Sequence, residues 1–231
     1  MKKNNNMPEH IGIIMDGNRR WARKRMLPVS MGHKKGAEVF RERVSDLAAR
    51  GVQNATFFAL STENLNREEG EVKNLLRLFE SQLDDLERIT NDEDIRLTFI
   101  GDLSVFPDAI REKMEKAERG SRDNSGMVCR LAINYGAKAE ITRAVRLIKQ
   151  SGTDENNITE SLFDNYLYTA DAPEVDLIIR TGGEKRLSNF LLWQAAYAEL
   201  YFTDTLWCDF SSDELTKALN DYAARNRRRG K

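Results

Sequence analysis

With 231 residues, 40% of them hydrophobic, the chain has enough apolar material for one large α/β core or two small ones, and one domain is the simpler reading. Its 36 basic and 37 acidic residues leave a formal charge of −1, which argues against nucleic acid as a partner and makes any anion site a local feature. No run approaches the ~18 consecutive apolar residues of a membrane span, and the polar stretch Met1–Glu9 lacks the apolar core of a secretory signal.

These properties predict a cytoplasmic protein: a polar tail over residues 1–9, then a single domain over residues 10–231. The two cysteines, Cys129 and Cys208, are far apart and without metal-ligand spacing, so they read as buried thiols in a reducing compartment.

Short β-type runs alternate with longer helical patterns, the signature of a mostly parallel sheet covered by helices. The first strand is expected at Ile11–Met15 and the second at Ala55–Leu60. Between them, Glu38–Arg50 puts Phe40, Val44, Leu47 and Ala48 on one helical stripe. A longer helix at Glu71–Ile89 does the same with Val72, Leu75, Leu76, Phe79, Leu83 and Leu86. Strands follow at Arg96–Ile100 and Val128–Ile133, then a Tyr135-Gly136 turn and a helix at Ala137–Gln150. A polar surface connection, Gln150–Asn157, leads towards strands at Val175–Ile179 and Leu200–Phe202. The last helix, Ser211–Arg227, carries a serine cap with Asp213 and Glu214 in its first turn. The expected fold is α/β, with a central, mostly parallel six-stranded sheet flanked by helices.

In open parallel sheets ligands lie beyond the carboxyl ends of the strands. Three loops at that rim combine acid, amide, hydroxyl, glycine and arginine: Met15–Trp21, Ser61–Arg67 and Arg180–Asn189. A strand-end Asp16 followed by Gly17 and Asn18 suits a hard cation and a phosphate. Arg20, Arg67, Arg180 and Arg186 are spread over these loops, and guanidinium groups grip phosphate bidentately. Taken singly, each has a plainer reading: Asp16 as a helix cap, each arginine in a surface ion pair. His10 reads as a structural hydrogen-bonding residue.

The runs His10–Asn18, Arg20–Ala22, Gly32–Lys34, Ser61–Asn64, Ile100–Asp102, Asn134–Gly136, Ile179–Glu184, Arg186–Gln194 and Ala198–Asp204 closely resemble the undecaprenyl diphosphate synthase family of cis-prenyltransferases, as do Leu206-Trp207 and Arg228–Gly230. The resemblance implies condensation of isopentenyl diphosphate with an allylic diphosphate, magnesium as cofactor, and a hydrophobic tunnel between sheet and helices for the growing chain. It implies Asp16 as the essential aspartate at the metal, with Gly17, Asn18, Arg19, Arg20 and Trp21 around the allylic diphosphate and His33 nearby. Arg180, Arg186 and Ser188 match the isopentenyl diphosphate site, and Ser61, Thr62, Glu63, Asn64 and Arg67 the loop that assists proton removal and positioning. Glu199 matches a metal carboxylate supplied at or near the partner subunit of a homodimer. The aromatic segment Asn189–Asp209 matches the dimer region, and the lipid product would be delivered to the inner face of the membrane.

The sequence departs from the family pattern at Arg19, Val29, Leu65, Glu68, Arg130 and Ala137. Val29 replaces a diphosphate-binding arginine, and Leu65 and Glu68 alter the flap loop. Ala59 keeps the small residue where the tunnel begins, so a medium to long product is expected. Two other readings remain: a non-catalytic subunit serving a partner, and a phosphohydrolase using Asp16 as nucleophile. The latter class commonly pairs aspartates two residues apart, and position 18 is Asn.

Overall fold

The computed structural model describes residues 7–63 and 69–225. The sheet has six strands, all parallel, in the order β3-β4-β2-β1-β5-β6: β1 His10–Ile14, β2 Asn54–Ser61, β3 Arg96–Ile100, β4 Val128–Tyr135, β5 Leu177–Arg180 and β6 Glu199–Phe202. Strand β1 lies between β2 and β5 and is buried along its whole length. That is why it reads as an unbroken apolar run and not as an alternation.

The helices are α1 Asn18–Lys24, α2 Val29–Ala49, α3 Glu69–Asp92, α4 Asp108–Gly120, α5 Ala137–Gln150, α6 Glu160–Asp164 and α7 Ser212–Ala224. One face of the sheet packs residues of α2, α3, α4 and α7 into the main core. There Phe57 meets Phe40 edge to face, with ring centroids 4.7 Å apart, a geometry worth about 0.5–1.5 kcal/mol beyond area burial. The opposite face is covered by Ala137 at the start of α5 and by Phe190, Leu191 and Ala195 of the long β5–β6 connection. Of the expected stripes, Phe40, Val44, Leu47, Leu83 and Leu86 are buried, and Ala48, Leu76 and Phe79 pack against the same core. The side chains of Val72 and Leu75 lie outside the description.

Helix α2 begins nine residues before the expected Glu38. Its first two turns carry Gly32 and Gly36, poor helix formers that masked the start. Both are packing residues: a Cβ on Gly32 would sit 2.2 Å from the Asn18 carbonyl oxygen, and one on Gly36 would sit 2.6 Å from Asn18 Oδ1. Helix α4 was not expected at all, because only Ile110, Met114 and Ala117 of its 13 residues face the core. At the other end of the chain Ser211 caps α7, its Oγ accepting from Glu214 N–H at 3.3 Å. Cys129 and Cys208 are free and buried, and burial pushes both thiols up to about 12.

His10 is fully buried at the start of β1. Its Nδ1 lies 2.9 Å from the Pro173 carbonyl oxygen, which can only accept, so Nδ1 carries the proton and Nε2 accepts from Thr56 Oγ1 at 2.8 Å. Burial lowers the imidazole from 6.5 to about 4, outweighing the Pro173 hydrogen bond. Above pH 6.5 neither the folded nor the unfolded chain protonates this ring, and the fold bears no penalty. Between pH 6.5 and about 4 the unfolded chain takes a proton that the folded one refuses, so stability falls as pH falls. Urea melts at pH 7 and pH 5 should show a loss of about 2 kcal/mol that largely disappears when the same two pH values are compared within His10→Gln. An unchanged pH dependence in the variant would contradict the assignment.

Candidate active site

Strands β1 and β5 are parallel neighbours, with Ile14 level with Arg180, but their onward connections part: β1 leads towards β2 on one side, β5 towards β6 on the other. The divergence opens a crevice at the carboxyl ends of the two strands. Asp16 stands on one lip and Arg180, the last residue of β5, on the other.

Arg180 Nη2 lies 3.1 Å from Asp16 Oδ2, while its Nη1 donates to Ser188 Oγ at 2.7 Å and to the Arg186 carbonyl at 2.5 Å. Its side chain is only 5% exposed, so these acceptors compensate a cation held away from water. Its Nε has no partner among the described residues. The second Asp16 oxygen takes Arg20 Nη2 at 3.0 Å, and Arg20 Nη1 donates to the Gly182 carbonyl at 2.5 Å. Gly182 has φ +86°, and a Cβ there would lie 2.5 Å from Arg20 Nη2, so backbone conformation and space both require glycine. Asp16 does not cap α1. The residue at that cap is Gly17, with no side-chain hydrogen bond, and the carboxylate is left to the arginines.

These groups rim a cleft of about 840 Å³. Of the expected residues, Asp16, Gly17, Asn18, Arg19, Arg20, His33, Ser61, Glu63, Arg180, Arg186 and Ser188 line it. Its inner wall is apolar: Ile14, Met15, Phe58, Ala59 and Leu60. Ala59 is exposed inside a central strand, because the β2–β4 register shifts around it and turns it to the cleft. Arg186 pairs with Glu184 at 2.5 Å, but its side chain is 62% exposed, so this pair opposes redirection towards an incoming anion only weakly.

Three expected residues are placed elsewhere. Trp21 donates Nε1–H to Asp209 Oδ1 at 2.8 Å beneath the Arg25 guanidinium, clamping α1 to the segment before α7. Thr62 supports Glu63 by a hydrogen bond and is not part of the cleft lining. Glu199 is level with Leu177, at the amino end of its strand, about 10 Å along the sheet from Arg180, and is held by Arg225 at 2.6 Å. Within one chain it does not join Asp16. Asn64 and Arg67 lie outside the described residues, as do Leu65 and Glu68. Arg23 and Asn189 line the cleft without having been singled out. Asn189 stood inside a rim loop already noted, so its position was a signal; Arg23 is one of several cations on α1, and no local pattern sets it apart. The unexpected Arg130 is structural: it is buried, donates to Asn54 Oδ1 at 2.8 Å and pairs with Asp171 at 2.9 Å.

Burial works to raise the Glu63 carboxyl, but hydrogen bonds from its own backbone and from Ser61, Asn189 and Thr62 outweigh it and hold the group below the usual carboxylate range. Among the described residues no three His, Cys, Asp or Glu gather into a metal cage. A lone carboxylate beside cationic anchors suits a hard cation that completes its shell with phosphate oxygens, as magnesium does, and does not suit structural zinc.

A family model described as "Putative undecaprenyl diphosphate synthase" matches residues 14–230. The chain belongs to this family. Similarity to other undecaprenyl diphosphate synthase family proteins extends over nearly its whole length. It is 44% identical to the isoprenyl transferase of Clostridium tetani, over 97% of this chain and 90% of the relative. It is 42% identical to the ditrans,polycis-undecaprenyl-diphosphate synthase ((2E,6E)-farnesyl-diphosphate specific) of Photorhabdus laumondii, over 97% and 90%. Among solved structures, lavandulyl diphosphate synthase from Lavandula x intermedia, in complex with dimethylallyl diphosphate, superposes with a TM-score of 0.95 at 35% identity, covering 99% of this chain and 100% of that one. A probable undecaprenyl diphosphate synthase from Campylobacter jejuni gives 0.82 at 32% identity, covering 97% and 99%. The chain thus has the cis-prenyltransferase fold expected from its motifs.

Because Arg180 serves three acceptors from one planar fork, a lysine cannot replace it. Calorimetry with inorganic pyrophosphate and magnesium should show affinity for Arg180→Lys reduced about 10–100-fold, the range for losing charge-assisted hydrogen bonds. Wild-type affinity in the variant would show that this fork does not bind the anion.

Proposed function

We propose that the protein is a magnesium-dependent cis-prenyltransferase that condenses isopentenyl diphosphate with an allylic diphosphate, farnesyl diphosphate being the favoured primer, to give a medium- to long-chain Z-polyprenyl diphosphate of the undecaprenyl type used in cell-wall glycan synthesis. The observation that carries this reading is the joining of Asp16 to the Arg180–Ser188 loop across a cleft whose inner wall is apolar.

In this reading Arg180, Arg186 and Ser188 hold the diphosphate of isopentenyl diphosphate, and Gly17, Asn18, Arg19 and Arg20, with His33 close by, hold that of the primer. Magnesium would be held by Asp16, and in a homodimer by Glu199 as well; when bound it neutralises charge developing on the departing diphosphate. The allylic C–O bond breaks with its electron pair leaving on diphosphate, and the isopentenyl alkene forms the new C–C bond. A proton is then lost near the loop Ser61–Arg67, where Asn64 and Arg67 are assigned by resemblance. Fixed guanidinium groups need no reorganisation as the charge appears, and holding both substrates in one cleft removes up to about 7–11 kcal/mol of entropic barrier. The hydrocarbon lies against Ile14, Phe58, Ala59 and Leu60, and each buried CH₂ gains about 0.8 kcal/mol.

A homodimer fits the edge of the sheet: Tyr197 is 76% exposed and Trp193 36%, and Tyr201 and Phe202 are half-buried on the edge strand β6. Among the described residues no helix is long and apolar enough to cross a membrane, and we place the enzyme in the cytoplasm, handing its product to the inner membrane face.

The test is to incubate purified protein with farnesyl diphosphate, magnesium and radiolabelled isopentenyl diphosphate and to size the products. A ladder of several added units is expected, with Asp16→Ala slower by about 10²–10³-fold or more. A single addition would refute the long product. Activity only with a second protein would support the non-catalytic reading, and phosphate release from simple esters without condensation would support the hydrolase.

A further inference from the structure

Helix α5 starts without a cap of its own. The residue before it is Gly136, which has no side chain to offer. Its first N–H groups are taken instead by one residue, 52 and 51 positions away: Ala137 N–H donates to the Asn189 carbonyl at 2.8 Å and Lys138 N–H to Asn189 Oδ1 at 2.9 Å. A backbone N–H can only donate, so the amide orientation is fixed. The Nδ2 end must therefore point the other way, and there it meets Glu63 Oε1 at 3.4 Å.

The space around this amide is tight. A Cβ on Gly136 would lie 2.7 Å from Asn189 Nδ2 and 2.9 Å from Thr62 Oγ1, so Asn189 is wedged between the start of α5 and the loop leaving β2. It sits in a strained stretch: Ser188, Asn189 and Leu191 have φ +50°, +63° and +45°. Asparagine tolerates that region, whereas serine and leucine occupy it at a cost of about 1–2 kcal/mol each, so tertiary contacts must impose the loop's shape. Phe190 and Leu191, both fully buried, anchor its far side. Asn189 anchors the side facing the cleft, adjacent to the Ser188 hydroxyl that Arg180 holds.

We propose that Asn189 is a positioning residue that clasps the loop carrying Arg186 and Ser188 to the loop beginning at Ser61–Glu63, setting the isopentenyl diphosphate side of the cleft in register with the side where the proton is removed. This rests on the condensation reading above. The hydrogen bond from Asn189 also helps to keep Glu63 ionised, so the clasp is charge-assisted.

The discriminating variant is Asn189→Asp. It keeps the acceptor for Lys138 N–H, and a negative charge in the first turn of a helix is favourable, so the melting temperature should stay within about 2 °C of wild type. It replaces the donor to Glu63 with a second carboxylate oxygen. We expect kcat/KM for isopentenyl diphosphate at pH 8 to fall at least about tenfold, equivalent to ~1.4 kcal/mol. The defect should ease as pH is lowered and one carboxylate is protonated, and Asn189→Asp/Glu63→Gln should be more active than Asn189→Asp alone. Unchanged kcat/KM, or single effects that simply multiply in the double variant, would overturn the proposal. So would a pH-independent loss that tracks a melting temperature lowered by more than about 4 °C, which would make Asn189 a helix cap alone. A wild type that forms no prenyl product would instead remove the parent reaction, whereas an active wild type matched by Asn189→Asp removes only the clasp.

Discussion

The site is organised by one ion pair, between Asp16 just beyond β1 and Arg180 at the end of β5. A guanidinium this deeply buried is unfavourable unless most of its donors are met, and meeting those of its two Nη groups dictates the shape of the surrounding chain. The β5–β6 connection folds back so that the Arg186 carbonyl and the Ser188 hydroxyl reach Nη1. Thr181 donates its hydroxyl to the Asp16 carbonyl at 2.7 Å, and Trp207 N–H donates to the same oxygen at 3.0 Å, so the aspartate is fixed by its backbone as well as by its charge. Parallel neighbours whose connections diverge supply the crevice; the pair decides what stands in it.

Charge and grease meet there because the wall of the cleft is formed by the strand ends themselves. Successive side chains of β2 point to opposite faces: Phe57 enters the core with α2 and α3, while Phe58 stacks on Phe190 at 4.6 Å. The irregular register after Phe58 then delivers Ala59 to the cleft. An apolar wall beside fixed guanidiniums lowers the local dielectric, which strengthens the field an anion would feel there, and it presents apolar surface of the kind a hydrocarbon needs.

Much of this was legible in the sequence, for identifiable reasons. Buried parallel strands announce themselves as apolar runs, and the rim loops concentrate arginine, glycine and acid, so Asp16, Arg180 and Arg186 could be named from their placement, while Ser188 followed only from the family resemblance. What was hidden depended on tertiary contact. Gly32 and Gly36 are weak helix formers that obscure the start of α2, and their role is to make close contact with Asn18. Helix α4 buries too narrow a stripe to stand out from its charges. Trp21 belongs to a recognisable motif but spends its indole N–H on Asp209. Asn189 acts by bridging two loops, and no local pattern encodes such a bridge. Glu199 illustrates the limit of a single chain: the resemblance of its motif implies a metal carboxylate, yet its place at the amino end of β6 puts it beyond reach of Asp16 in the same subunit.

The most direct test is a crystal structure of the protein with magnesium and an inert thiodiphosphate analogue of isopentenyl diphosphate. The account predicts a diphosphate group against Arg180, Arg186 and Ser188, with Asp16 turned to the cation and the alkenyl tail towards Phe58 and Ala59. A diphosphate bound elsewhere, with the Asp16–Arg180 pair still closed over an empty cleft, would contradict it.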